Sequence, residues 1–185
     1  GMQPFTRPEI LVSDLSQLVL ELAVWGVKDP SQLSWLDAPP AAAWDAGLRL
    51  LNDLGALDAS GSVTPVGRAM ARLPLHPRLS RLMMRAGELG CLRLGADLAA
   101  ILTERDLFRR NTAERAVSGP DISERLDALR KGRRGKDEGA GVDPSAFRAV
   151  ERTATQLMRL MTDTKEASKN DTADPDLMAR LLLSA

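Results

Sequence analysis

Between Gly55 and Gly90 the chain reads GALDASGSVTPVGRAMARLPLHPRLSRLMMRAGELG, and each segment of that run carries a structural signal. Two short extended runs flank Ser60-Gly61, the pattern of a small β-hairpin. Thr64 followed by Pro65 is a helix cap with proline at the first helical position. Pro74 ends that short helix, because proline disfavours helix in the residue before it. A second helix is predicted from Pro77, with Leu79, Leu82, Met83, Ala86 and Leu89 on one face. Gly90 closes it as a left-handed cap. The opposite face carries Arg78, Arg81 and Arg85, at i, i+3 and i+7.

On the N-terminal side, residues 1–12 hold two prolines and no period, and read as a linker, with Gly1 before Met2 read as a tag remnant. Ser13 is placed to cap a helix with Leu15, Leu18, Val19 and Leu22 inward, ended by Gly26. A connection follows from Asp29 to Pro40, with Leu33, Trp35 and Leu36 expected as anchors. The next helix is predicted from about Pro40 to Leu54, with Trp44, Leu48, Leu51 and Leu54 inward and Gly55 as its stop. Two helices, a hairpin and a short helix make residues 13–75 a winged-helix-like unit.

On the C-terminal side, residues 76–185 read as a helical bundle. Leu94–Thr103 is apolar nearly all round, as a helix in the middle of a bundle is. Residues 104–119 are polar and basic, expected as an ordered turn and then a loop. Asp121 or Ser123 opens a helix with Ile122, Leu126 and Leu129 on one side. Residues from about 131 to 142, rich in Gly, Arg and Lys, are expected as a mobile loop. Asp143-Pro144 caps a helix to about Thr162, with Phe147, Val150, Ala154, Leu157 and Met161 inward. Arg148, Arg152 and Arg159 fall close to one stripe of it. Residues 163–173 are polar, and Asp174-Pro175 caps a last apolar segment, Leu177–Leu183. That leucine-rich end suggests a cut before a further domain. The fold class is therefore mainly α: a winged-helix-like unit with one small β-hairpin, followed by a helical bundle.

With 185 residues, the chain can bury roughly 70% of its unfolded surface, enough for one domain or two small ones. A single cysteine rules out an internal disulfide and points to a cytoplasmic setting. No apolar run reaches the length of a membrane span, and no signal peptide is visible, so no membrane partner is expected. The zero net charge is unevenly spread: residues 1–64 carry −5, residues 65–136 carry +8 and residues 137–185 carry −3. An anionic polymer could sit against the basic middle.

Catalytic and metal-binding signals are missing. There is no G-x-x-x-x-G-K-[ST] run to cradle phosphate. Gly132-Arg133-Arg134-Gly135-Lys136 leads into Asp137, with no hydroxyl to hold magnesium. No Asp-Glu-x-His box occurs. One histidine and one cysteine cannot build a zinc site. His76, between Leu75 and Pro77, reads as a turn residue bonding local backbone, because a catalytic base would need an orienting carboxylate and a pocket. Cys91 and the methionines Met83, Met84, Met158 and Met161 read as core filling. No catalytic residue, metal or cofactor is expected in this chain.

The positive signal is the arginine clusters: Arg78, Arg81 and Arg85; Arg105, Arg109 and Arg110; and the run Arg130, Lys131, Arg133, Arg134 and Lys136. Guanidinium and ammonium groups bind phosphates, and arginine also stacks on bases. A solvated helix face, or ion pairs with another domain, would use the same residues. Phe108 is the one aromatic in the basic region, so binding should be backbone-directed and salt-dependent.

Leu57-Asp58, Thr64, Gly67, Met70-Ala71 and Leu73-Pro74-Leu75-His76-Pro77-Arg78-Leu79 together resemble the helicase-associated region of bacterial DEAH-box ATP-dependent helicases of the HrpB type. Pro8-Glu9-Ile10, Asp14-Leu15, Leu20-Glu21-Leu22 and Trp25-Gly26 resemble the segment leaving the second motor domain. Asp97-Leu98-Ala99-Ala100 with Glu104-Arg105-Asp106 resembles a following helix. Val12 departs from the arginine usual after Pro-Glu-Ile-x. The resemblance implies a parent that hydrolyses ATP and moves along single-stranded RNA or DNA, with ATP and Mg2+ in motor domains absent here. It also implies that the winged helix packs on the motor domains of the parent chain and that the bundle walls the strand channel. That strengthens Arg105, Arg109 and Arg110 as contacts. Two rivals remain: a stand-alone winged-helix DNA-binding regulator, which would need a basic recognition helix, and a protein–protein interaction module.

Overall fold

The computed structural model describes residues 13–104, 107–108, 121–135, 142–162 and 181–183. Seven α-helices occur among them: α1 (Ser16–Val24), α2 (Ala41–Asp53), α3 (Pro65–Met70), α4 (Pro77–Glu88), α5 (Leu92–Thr103), α6 (Ile122–Arg133) and α7 (Pro144–Thr162). The chain divides into two units, one up to Met84 and one from Arg85, so the division falls within α4.

In the first unit α1 packs on α2. Leu15, Val19, Leu20 and Leu22 meet Trp44, Leu51, Leu54, Ala56, Leu57 and Met70 in one apolar core. Leu51 is wholly buried, and truncating such a leucine costs about 2–5 kcal/mol. α1 begins at Ser16 with Leu15 at the cap position, two residues later than the cap expected at Ser13. The Asp14 carboxylate takes the Ser16 N–H at 2.7 Å and so sets the helix start itself. In the connection, Leu33 and Trp35 pack against the core, and the indole N–H of Trp35 donates to the Pro30 carbonyl at 2.7 Å. Leu36 is no anchor: Trp35 takes the inward place, and Leu36 stands fully exposed.

The small β-hairpin is not confirmed. Residues 55–64 form a single isolated antiparallel bridge, Leu57 to Val63. Two backbone bonds close it, from the Asp58 N–H to the Ser62 carbonyl at 2.9 Å and from the Thr64 N–H to the Ala56 carbonyl at 3.0 Å, and side chains serve the groups beyond. The Asp58 carboxylate accepts the N–H groups of Ser60 (2.8 Å) and Ser62 (2.9 Å), and Lys28 donates to the Ser60 carbonyl at 3.1 Å. The Thr64 hydroxyl donates to the Gly55 carbonyl at 2.7 Å and accepts the Gly67 N–H at 3.0 Å, capping α3. Gly67 is there because nothing larger fits. A Cβ on it would overlap the Ala56 carbonyl oxygen, with the carbonyl carbon at 2.9 Å and Ala56 Cα at 3.1 Å.

In the second unit α5 packs on α7 and α6. Residues Leu92, Leu94–Ile101 of α5 are all buried, joined by Leu126 and Leu129 of α6 and Ala146, Val150, Ala154 and Leu157 of α7. Gly90, at φ +74°, ends α4 in the left-handed conformation a glycine takes readily, and the Cys91 N–H closes the turn on the Ala86 carbonyl at 2.9 Å. The Asp143 carboxylate caps α7 by accepting the Ser145 N–H at 2.7 Å. The Asp143 N–H donates to the Leu107 carbonyl at 2.8 Å, and Phe108 bridges to Val142, so residues 107–108 are pinned beside the start of α7. Residues 131–133, expected in a mobile loop, are instead the last turn of α6. Residues 136–141 of that loop lie outside the described residues. Gly132 sits under the Phe147 ring: a Cβ there would overlap the ring edge, with Cζ at 2.9 Å. That contact, and the ion pairs below, hold a segment that reads as unanchored.

Candidate nucleic-acid interface

α4 presents its arginines as its periodicity dictates. Leu82, Met83 and Ala86 are buried, while Arg78 is exposed and Arg81 and Arg85 are half-buried. Arg85 donates to Glu88 at 2.6 Å, an exposed i, i+3 pair of small energetic weight. Arg78 and Arg81 are engaged as well. Arg105, Arg109 and Arg110 lie outside the described residues; what is described between them is the buried Leu107 and the half-buried Phe108, held at the start of α7.

The third cluster separates. Arg133 turns inward and is bound on three sides. Its Nη1 and Nη2 donate to Oδ2 and Oδ1 of Asp97, both at 2.6 Å, and its Nε donates to Oε1 of Glu151 at 2.6 Å. Arg93 adds Nε to Asp97 Oδ1 at 3.2 Å and Nη2 to Glu151 Oε1 at 3.7 Å. Asp97 is 1% exposed and Arg133 22%. Burial works against the guanidinium charge, but the hydrogen bonds to Asp97 and Glu151 outweigh it and raise its pKa above the ordinary value. Arg133 is thus a strut joining α6 to α5 and α7. Sequence reading missed it, because α5 looks apolar all round. The available signal was Asp97 itself: a carboxylate inside an apolar helix requires a cationic partner. Arg93, four residues earlier, supplies only part of one. Lys131 and Arg134, by contrast, are exposed, and Arg130 is half-buried.

His76 joins a different set. Its Nδ1 accepts the Arg78 N–H at 3.3 Å, which leaves the proton on Nε2, facing Ser16 Oγ at 3.2 Å and Asp14 Oδ2 at 3.4 Å. Serine, histidine and carboxylate meet, but not as a hydrolytic triad. Both oxygens address the same nitrogen, and Ser16 is wholly buried. The set ties the start of α1 to the start of α4. Burial pushes the Asp14 carboxyl up, but the bonds from Ser16 and the nearby His76 hold it below its ordinary value. Cys91 is buried at the head of α5, and burial pushes its thiol pKa up. On α2, Arg49 stands exposed beside exposed Asp45 and Asp53, a poor face for the phosphates of a duplex groove.

No helix among the described residues is long and apolar enough to cross a membrane. Residues 47–75 match the family described as helicase associated domain (HA2), winged-helix, and residues 76–174 match helicase associated domain (HA2), ratchet-like. The chain is 38% identical over 109 residues to the probable ATP-dependent RNA helicase DHR2 of Saccharomyces cerevisiae, covering 59% of this chain and 15% of that protein. It is 44% identical over 99 residues to the ATP-dependent RNA helicase HrpB of Escherichia coli, covering 54% of this chain and 12% of that protein. The crystal structure of the E. coli DExH-box NTPase HrpB superposes with a TM-score of 0.69 at 30% identity, over 97% of this chain and 18% of that one. The chain therefore spans a small fraction of the length of the relatives it matches.

Proposed function

Because the chain belongs to the helicase associated domain (HA2) family, with the winged-helix and ratchet-like domains in series, we propose that it serves as the non-motor part of an ATP-dependent DEAH-box helicase that packs on the motor and walls a single-stranded nucleic-acid channel. The observation that carries the reading is this domain order combined with a charge of +8 over residues 65–136, the segment that runs through α4 and α5. The proposed strand contacts are Arg105, Arg109 and Arg110, with Arg78, Arg81 and Arg85 on α4. Arg133 is not among them, since its donors are spent on Asp97 and Glu151. Trp25, 79% exposed at the end of α1, and the fully exposed Leu36 are apolar groups that motor domains of the parent chain would cover. ATP and Mg2+ would bind in those motor domains, and the present chain would transmit their opening and closing to the strand.

Fluorescence anisotropy of a labelled single-stranded oligonucleotide, at low and high salt, tests the reading. Binding that weakens steeply with salt supports it. Equal affinity at both salts, or no binding at low salt, removes the channel role. ATP hydrolysis by the isolated chain, measured as phosphate release, would overturn its assignment as a non-motor part.

A further inference from the structure

α7 carries three arginines on one side. At 100° per residue, Arg148, Arg152 and Arg159 lie within about 40° of one another, spread over about 16 Å of helix axis. All three are exposed, and so is Thr155 between them. None forms an ion pair with a described residue. The only carboxylate on α7, Glu151, lies about 80° round the helix from the middle of the stripe and is held by Arg133 and Arg93. The one acid of the helix is thus engaged by Arg133 and Arg93, and no described carboxylate pairs with the three arginines. Arg148 and Arg152, at i and i+4, also repel each other along the helix, an arrangement that an external anion relieves. At the N-terminal end of α7 the last turn of α6 lies against Phe147 and Glu151, and it brings the surface cations Lys131 and Arg134 to the same end.

We propose that this stripe is a phosphate track: Arg148, Arg152 and Arg159 bind the backbone of a single-stranded nucleic acid, as a contact line additional to α4 and the 105–110 arginines. The inference rests on the channel reading above and names a surface for it. The polar, uncharged Thr155 and the lack of any aromatic side chain on that face make the contact backbone-directed and indifferent to base identity.

The test compares the 185-residue chain with its Arg148→Gln/Arg152→Gln/Arg159→Gln variant, using labelled oligouridylate across a salt series. Each phosphate contact contributes about 0.7 to the slope of log affinity against log salt, so three lost contacts lower it by about 2. The affinity lost on a fourfold rise in salt then shrinks by about twentyfold. A parallel variant, Arg49→Gln on α2, should leave the slope unchanged. If the parent chain binds and the triple variant keeps its affinity and slope, the track is overturned and the channel reading stands. If the parent chain shows no salt-dependent binding, both fall. If polyglutamate displaces the oligonucleotide from the parent chain at equal charge concentration and binds the variant more weakly, the stripe is a face for an acidic protein and the proposal fails. Because the three side chains are exposed, the variant should melt within a few degrees of the parent; a larger drop means the stripe is structural, which also overturns it.

Discussion

Replacing Arg133 with methionine isolates the strut that joins three helices of the second unit. Methionine keeps the apolar stem and most of the volume but removes all the donors. Asp97, 1% exposed, then loses two hydrogen bonds of 2.6 Å and retains only Arg93 at 3.2 Å. Glu151 is 27% exposed and keeps Arg93 at 3.7 Å, so water can serve it. Most of the cost therefore falls on Asp97. Stripping one partner from a buried ion pair costs about 3–5 kcal/mol. With about 2–4 °C of melting temperature per kcal/mol for a chain of this size, Arg133→Met should melt about 6–20 °C lower. Thermal and urea unfolding followed by circular dichroism measure this directly. The double variant Asp97→Leu/Arg133→Met removes both charges together and should recover most of the loss, since an apolar replacement of a buried pair is often neutral. A loss below about 1 kcal/mol for Arg133→Met, the value of an exposed pair, would refute the strut. So would a double variant as unstable as the two single losses added together.

Gly67→Ala should cost at least the about 1–3 kcal/mol of an overpacked site, because the added Cβ meets the Ala56 backbone and no side chain that could move aside; urea unfolding reads it. Asp58→Ala should lower stability at neutral pH by removing the acceptor for Ser60 and Ser62. The hydrogen bond from the Ser60 side chain leads the effects that hold the Asp58 carboxyl below its ordinary value of 3.8. A depressed native pKa adds stability above 3.8 and loses it as pH falls through the native value. The gap in melting temperature between parent and variant should therefore close below that pH. Cys91 should react with an aromatic disulfide reagent at least about tenfold more slowly in the native chain than in denaturant, because it is buried and its raised pKa depletes the thiolate.

Residue patterns within a turn or two of each other were enough to read most of the helices. Thr64-Pro65, Pro77, Gly90 and Asp143-Pro144 mark ends through bonds to the adjacent backbone, and the apolar spacing of α2, α4 and α7 shows which side turns inward. The same local chemistry misleads where a side chain competes with the ladder, as the Asp58 carboxylate does by taking the Ser62 N–H next to the one bridge that forms. The arginines of the middle were visible as charge, but not as partners. Arg133 finds Asp97 across 36 residues, and His76 finds Ser16 across 60. Most helices, and the ends marked by proline and glycine, were thus determined by the sequence alone, since the groups that stabilise them are close along the chain. Which arginine is a strut and which stays exposed was decided only in the tertiary structure. An ion pair depends on the few ångströms between side chains that packing brings together, and periodicity carries no record of that distance.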